Sequence, residues 1–262
     1  MIPRLIHYCW LSDDPYPEKI RECLESWKRC LVGYEFVKWD ATRFPVENVS
    51  WVRQAIEMKK YAFAADYIRL YALYNFGGIY LDCDVMVYRS FDDLLSLPYF
   101  IGRDFTGSFE PAVVGSEPHN EWIKDVLLYY EERDFLNREG VSQQINLPVV
   151  FFNQLFPRYS FNSVEKKEDF INAPGRINLF DHRFFNGRDN VDVRRYRQSY
   201  SSHLFTRSWS DDVVSSKVRL MKKLPRFISN PLIGLNYHIL RKAKVHKFDP
   251  IYRKEQDLGI RN

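Results

Sequence analysis

At 262 residues and 45% apolar content, the chain suits one large globular domain or a domain with an appendage. The net charge of +4 hides an asymmetry, because the stretch from Lys217 onward carries +9 and the rest −5, so the body lacks the basic face that nucleic acid needs. No run approaches the roughly 18–20 apolar residues of a membrane span, no basic-then-apolar leader precedes the first element, and four cysteines (Cys9, Cys23, Cys30, Cys83) without a C-x-x-C pair suggest reduced thiols in a cytoplasm.

In chain order, Arg4–Trp10 reads as a strand. Pro17–Cys30 then carries Ile20, Cys23, Leu24, Trp27 and, just beyond, Leu31 at the spacing of one helical face, with Pro17 at a first-turn position. Tyr34–Trp39 is a second strand that ends at Asp40. A long helix spans Ser50 to Phe76 and is closed by Gly77-Gly78, and a third strand covers Ile79–Tyr88. Strand, helix, strand, helix, strand is the order of a doubly wound α/β domain with parallel strands. Ligands bind such sheets at the carboxyl ends of the strands, where Trp10, Asp40 and the pair Asp82/Asp84 fall. Beyond residue 90, Asn120–Arg133 is a helix, Leu147–Phe156 is either strand or helix, and residues 157–200 show no clean period. The division expected is a domain over 1–212 and a basic helical extension over 213–262.

The third strand contains "GGIYLDCDV" (residues 77–85), with two acids inside an apolar, β-branched run. Strand alternation puts Asp82 and Asp84 on one side with Tyr80 and Met86, and Ile79, Leu81, Cys83, Val85 and Val87 on the other. Two carboxylates that close repel by about 4 kcal/mol at an effective dielectric near 20. One of them takes up a proton, or a cation such as Mg²⁺ or Mn²⁺ sits between them. In the preceding helix, Asp66 and Arg69 share a face at i and i+3, as an intrahelical ion pair or as a pair aimed at the strand ends.

"IPRLIHYCW" (residues 2–10), "AFAADYIRLYALYNFGGIYLDCDV" (residues 62–85) and "HLFTRSW" (residues 203–209) resemble one family. It is the glycosyltransferases with a DXD-containing sugar-binding region. That family includes bacterial capsular and lipopolysaccharide sugar transferases and fungal mannosyltransferases, with the glucosyltransferase domains of clostridial toxins more distant. The resemblance implies a GT-A-type (Rossmann-like) mixed sheet flanked by helices, a nucleotide-sugar donor, Mn²⁺ (or Mg²⁺), and retention of anomeric configuration. It implies that Trp10 stacks on the nucleobase and that Asp66 and Arg69 contact the donor sugar. Tyr80 would lie near the ribose and phosphates, and Asp82 on the ribose or, through water, on the metal. Asp84 and His203 would ligate the metal, and Ser208 and Trp209 would close over the β-phosphate. Catalysis would rest on Asp66, Arg69, Asp82 and Asp84.

The function this implies is transfer of a hexose, from a UDP-sugar by preference, to a glycan or lipid-linked glycan in surface polysaccharide synthesis. No second placed acid marks a covalent nucleophile, so front-face displacement is the mechanism expected. Rival readings are a non-catalytic nucleotide-sugar-binding subunit and an aspartyl-nucleophile phosphatase. The latter motif wants Thr or Val where Met86 stands. The basic, apolar-studded stretch Ser215–Phe248 reads as a solvated helix pair or as a dock for an anionic membrane surface. A cytoplasmic enzyme, peripheral on the inner membrane face, is the location expected, and nucleic acid is no partner.

Overall fold

The computed structural model describes residues 1–104, 106–185, 199–206 and 248–257. The expected alternation holds at the start: β1 (Leu5–Cys9), α1 (Glu18–Cys30), β2 (Glu35–Trp39), α2 (Ser50–Glu57), α3 (Tyr61–Phe76) and β3 (Gly78–Leu81). β1 lies between β2 and β3 and runs parallel to both. There follow β4 (Val85–Val87), β5 (Tyr99–Arg103), β6 (Phe109–Ser116), α4 (Glu121–Glu131), α5 (Leu147–Leu155), β7 (Ser160–Val164), β8 (Arg176–Phe180), α6 (His182–Phe185), β9 (Ser201–His203) and α7 (Pro250–Asp257). The main sheet has the order β2-β1-β3-β6-β5-β8-β7, and β4 pairs with β9 in a separate two-stranded sheet. β6 runs antiparallel to β3 and β5, while the outer pairs are parallel. The result is the mixed α/β sheet with flanking helices that the sequence implies.

Two apolar clusters cover the two faces of this sheet. Along β3, Ile79 and Leu81 join the cluster around Trp27, Phe91 and Phe100, whereas Tyr80 joins the one around Trp51, Tyr67 and Trp122. This is the alternation that an extended chain imposes. α1 buries Ile20, Cys23, Ser26 and Trp27 and keeps its charges outside. α3 is buried round most of its circumference, including Asp66 and Arg69, because it packs between the sheet and the helices α2 and α4. A helix placed so deep keeps a charged pair only when the pair is satisfied inside.

Two sequence expectations are corrected, and one left open is decided. The helix over 50–76 is two helices, broken where Lys59 adopts φ 56°, a left-handed turn that no Gly or Pro announces. The strand over 79–88 is also two: the chain turns at Asp82–Asp84, with the Val85 N–H donating to the Asp82 carbonyl at 3.0 Å, and leaves the main sheet. The departing β4 is held by α1, since the Trp27 indole N–H donates to the Val85 carbonyl at 2.7 Å and Ser26 Oγ accepts from the Val87 N–H at 2.9 Å. The apolar run 147–156 resolves as helix, with Pro148 in its first turn.

The Gly77-Gly78 passage has a steric cause. Gly77 and Gly78 have φ of 63° and 102°, and a Cβ on Gly78 would sit 2.7 Å from the Leu5 carbonyl oxygen. Beside it, buried His7 ties β1 to this passage. Its Nε2–H donates to the Gly77 carbonyl at 2.8 Å and its Nδ1 accepts from the Trp39 indole N–H at 3.2 Å, so the ring is neutral with a defined tautomer. Burial, aided by nearby Arg43, lowers its pKa to about 4 against the hydrogen bond to Gly77. The unfolded chain therefore binds a proton near pH 6.5 that the native state refuses until about pH 4. The His7 contribution to stability is full above that window and falls as pH drops through it, by about 2 kcal/mol between pH 7 and pH 5. Asp66, raised to about 7, moves stability the opposite way over the same range, so chemical denaturation at the two pH values should show the His7 loss as the difference between wild type and His7→Gln.

At the far edge of the sheet α7 packs against β7. Its N-terminus is capped by Asp249, whose Oδ1 accepts from the Ile251 and Tyr252 N–H groups at 3.0 Å. Of the basic stretch 215–248, only Phe248 lies within the described residues. No helix among the described residues is long and apolar enough to cross a membrane.

Candidate metal and donor site

The site forms where β3 ends. The Asp82 N–H still donates to the Ala112 carbonyl at 2.9 Å, so the first acid is fixed to the sheet, and the turn then brings Asp84 round beside it. Asp84 is anchored by the chain after β9. Its carbonyl accepts from the Leu204 N–H at 3.0 Å, and its Oδ2 accepts from Thr206 N–H at 2.8 Å and Thr206 Oγ1 at 3.1 Å. Oδ1 faces inward. It is buried and makes no hydrogen bond, although His203 Nε2 stands 3.2 Å away, at ion-pair distance but outside hydrogen-bond geometry. A ligand atom from each of Asp82, Asp84 and His203 lies within 4.8 Å of the others. The pairing of β4 with β9, His203 opposite Val85, creates this meeting across more than a hundred residues of chain.

Two carboxylates and an imidazole around an oxygen that accepts no hydrogen bond fit a divalent cation. Leaving a buried carboxylate oxygen without a donor costs about 1–3 kcal/mol or more, which a cation would relieve. Without one, His203 supplies the positive charge. Burial would lower its pKa, but Asp84 and Glu110 outweigh that and push it up to about 10. Burial would likewise raise Asp84, yet His203 and Thr206 hold it below the usual carboxylate range.

A second cluster adjoins the first. Arg69 Nη2 lies 3.1 Å from Asp66 Oδ1 and 3.1 Å from Asp82 Oδ1, and Nη1 donates to the Pro111 carbonyl at 2.7 Å. The guanidinium lies over the Tyr80 ring at 4.5 Å, and its Nε has no partner. Burial raises Asp66 to about 7 against the pull of Arg69, and raises Asp82 for the same reason. The two readings of the Asp66/Arg69 pair thus merge: it is an intrahelical ion pair, and it reaches the DXD turn through Asp82.

Of the residues expected at the site, Asp66, Arg69, Tyr80, Asp82, Asp84 and His203 come together. Tyr80 is only 1% exposed and presents its ring to Arg69. Trp10 is half-buried at the carboxyl end of β1, its indole N–H donating to the Asp14 carbonyl at 2.9 Å and its ring 4.7 Å from that of Tyr16. Ser208 and Trp209 lie outside the described residues. Sequence reasoning missed Thr206 and Glu110. Glu110 had a signal, since it is a lone acid in the wholly buried strand β6, the same anomaly that exposed Asp82 and Asp84.

Part of the chain is similar in sequence to known proteins. Residues 17–101 match the family model described as a glycosyltransferase sugar-binding region containing a DXD motif. The chain is 29% identical to a mannosyl phosphorylinositol ceramide synthase of Saccharomyces cerevisiae over 48% of this chain and 34% of that protein. It is 28% identical to inositol phosphoceramide mannosyltransferase 3 of Schizosaccharomyces pombe over 60% of this chain and 40% of that protein. The chain thus spans well under half the length of these fungal relatives. An uncharacterized glycosyltransferase of Acanthamoeba polyphaga mimivirus is 24% identical over 87% of this chain and 92% of its own length. Among solved structures, the PaToxG glycosyltransferase superposes with a TM-score of 0.45 at 18% identity, over 60% of this chain and 69% of its own. Residues 17–101 of this chain are therefore a glycosyltransferase sugar-binding region of the DXD type.

Proposed function

We propose that the chain is a metal-dependent, retaining glycosyltransferase that moves a hexose from a nucleotide sugar to a glycan or lipid-linked glycan. The observation that carries this is the convergence of Asp82 and Asp84, both within the matched sugar-binding region, with His203 around an Asp84 oxygen that accepts no hydrogen bond. Mn²⁺ suits the mixed oxygen and nitrogen donor set, and when bound it supplies Lewis-acid stabilisation of the departing diphosphate. The protein groups do the rest. Asp66 and Asp82 hold the Arg69 guanidinium in one orientation, so that its charge is preorganised beside the sugar rather than recruited during reaction. Trp10 and Tyr16 offer an aromatic surface at the end of β1 for the nucleobase, where stacking contributes about 1–3 kcal/mol. Asp66 is engaged by Arg69, which favours front-face displacement, with the leaving phosphate taking the acceptor proton, over a covalent enzyme intermediate.

A UDP-hexose is the donor in this reading. A mannosyl donor is the second reading, favoured by the activities named for the fungal relatives. A panel of UDP-hexoses and GDP-mannose with Mn²⁺, read as nucleotide release, separates them. One donor should stand at least tenfold above the rest. No release from any of them would leave the non-catalytic binding reading in place. The basic stretch 215–248 is proposed to dock on an anionic membrane at its inner face, in a surface-polysaccharide pathway. Flotation on anionic vesicles should weaken when Lys222, Lys223 and Arg226 are replaced by Gln.

A further inference from the structure

His203 sits on β9, a three-residue strand in a two-stranded sheet, which is weak support for a ligand that must hold one orientation. Glu110 is buried in β6, an eight-residue strand of the seven-stranded sheet with every residue buried. Its Oε1 lies 3.3 Å from His203 Nδ1 and accepts from the Ala112 N–H at 3.3 Å, so the carboxylate is itself tied to the strand. On the other side of the ring, Nε2 faces Asp84 at 3.2 Å. Phe205 stacks on the imidazole with centroids 3.9 Å apart and planes 28° apart. The ring is thereby held at one nitrogen and across one face, and only Nε2 points into the group of Asp82 and Asp84.

We propose that Glu110 is the positioning residue of this site: it receives the Nδ1–H of His203, so that the proton a divalent cation displaces is the one on Nε2, which faces Asp84. This rests on the reading of the site as a metal centre. The chemistry follows from the imidazole itself, which when neutral has one donor and one acceptor nitrogen. A carboxylate at Nδ1 demands the proton there, selects the tautomer with a free Nε2, and makes that nitrogen a stronger donor to metal. It also couples a short strand of a two-stranded sheet to the seven-stranded sheet, which lowers the ordering cost of binding.

The test is the affinity for Mn²⁺ alone, followed by electron paramagnetic resonance of the free ion in the full chain. Glu110→Ala should bind Mn²⁺ about 10- to 100-fold more weakly than wild type. Glu110→Gln, whose amide oxygen still accepts from Nδ1–H, should retain most of the affinity. If the alanine variant does not fold, Glu110→Met fills the same space without an acceptor and carries the same expectation. A double variant, Glu110→Ala with His203→Ala, should bind no more weakly than His203→Ala alone, because Glu110 acts through the ring. Unchanged affinity in Glu110→Ala, or additive losses in the double variant, would overturn the inference while leaving the metal centre standing. Failure of the wild type to bind Mn²⁺ would instead remove the metal centre, and this inference with it.

Discussion

Replacing Asp84 by Asn is expected to reduce metal-dependent nucleotide release roughly 100- to 1,000-fold, the scale of losing one group that stabilises developing charge. The amide keeps an oxygen for the Thr206 donors, so the turn after β3 retains its anchor. What it loses is the inward-facing anionic Oδ1, which makes no hydrogen bond and has His203 as its nearest partner. His203 is held protonated jointly by Asp84 and Glu110, so its pKa should fall in the variant. Glu110 stays in place as the partner of His203, so the substitution leaves that ring no unpaired charge. Thermal melting without metal should therefore change little while release collapses. Steady-state release with Mn²⁺, compared with melting in chelator, separates the two effects. Wild-type release by Asp84→Asn would show that this carboxylate takes no part in the chemistry.

The second large effect concerns stability. Arg69→Met removes a cation that two buried acids share, and it should cost about 3–5 kcal/mol, the usual penalty for breaking a buried ion pair from one side. Asp66 stands at about 7 with Arg69 present, because burial outweighs the attraction, so without the guanidinium both acids rise further. A folded pKa above the unfolded one gives a stability that is present at low pH and lost as pH rises. The destabilisation should thus be greatest near pH 8 and shrink toward pH 5. Arg69→Lys keeps one charge but lacks the planar fork that reaches Asp66, Asp82 and the Pro111 carbonyl together, so it should recover part of the stability and little of the activity. Urea denaturation of the three proteins across that pH range checks the sign.

Local pattern made some of this molecule readable and hid the rest. The passage from α3 through Gly77-Gly78 into β3 was legible because glycine is forced there by positive φ and by the Leu5 carbonyl. The acids at 82 and 84 stood out because charge in a buried run demands a partner. The turn they occupy was not legible, since alternation continues unbroken through Val87. Only the distant pairing of β4 with β9, and the grip of Trp27 and Ser26 from α1, make the chain leave the sheet. The break at Lys59 has no sequence mark, because lysine is a good helix former; the left-handed turn is closed by the Lys60 N–H donating to the Ala55 carbonyl at 2.8 Å. Glu110 and Thr206 reach the site through folding alone. A single acid or hydroxyl at 26 or 122 residues from the DXD turn has no spacing to betray it, though the isolation of Glu110 among apolar neighbours was a usable clue.

The most direct measurement is anomalous diffraction at the manganese edge from crystals soaked with Mn²⁺ and a nucleoside diphosphate. The account requires one strong peak bounded by Asp82, Asp84 and His203, with the nucleotide's phosphates beside it. A map with no peak there, the Asp84 oxygen still facing His203 and Asp82 still on Arg69, would contradict it.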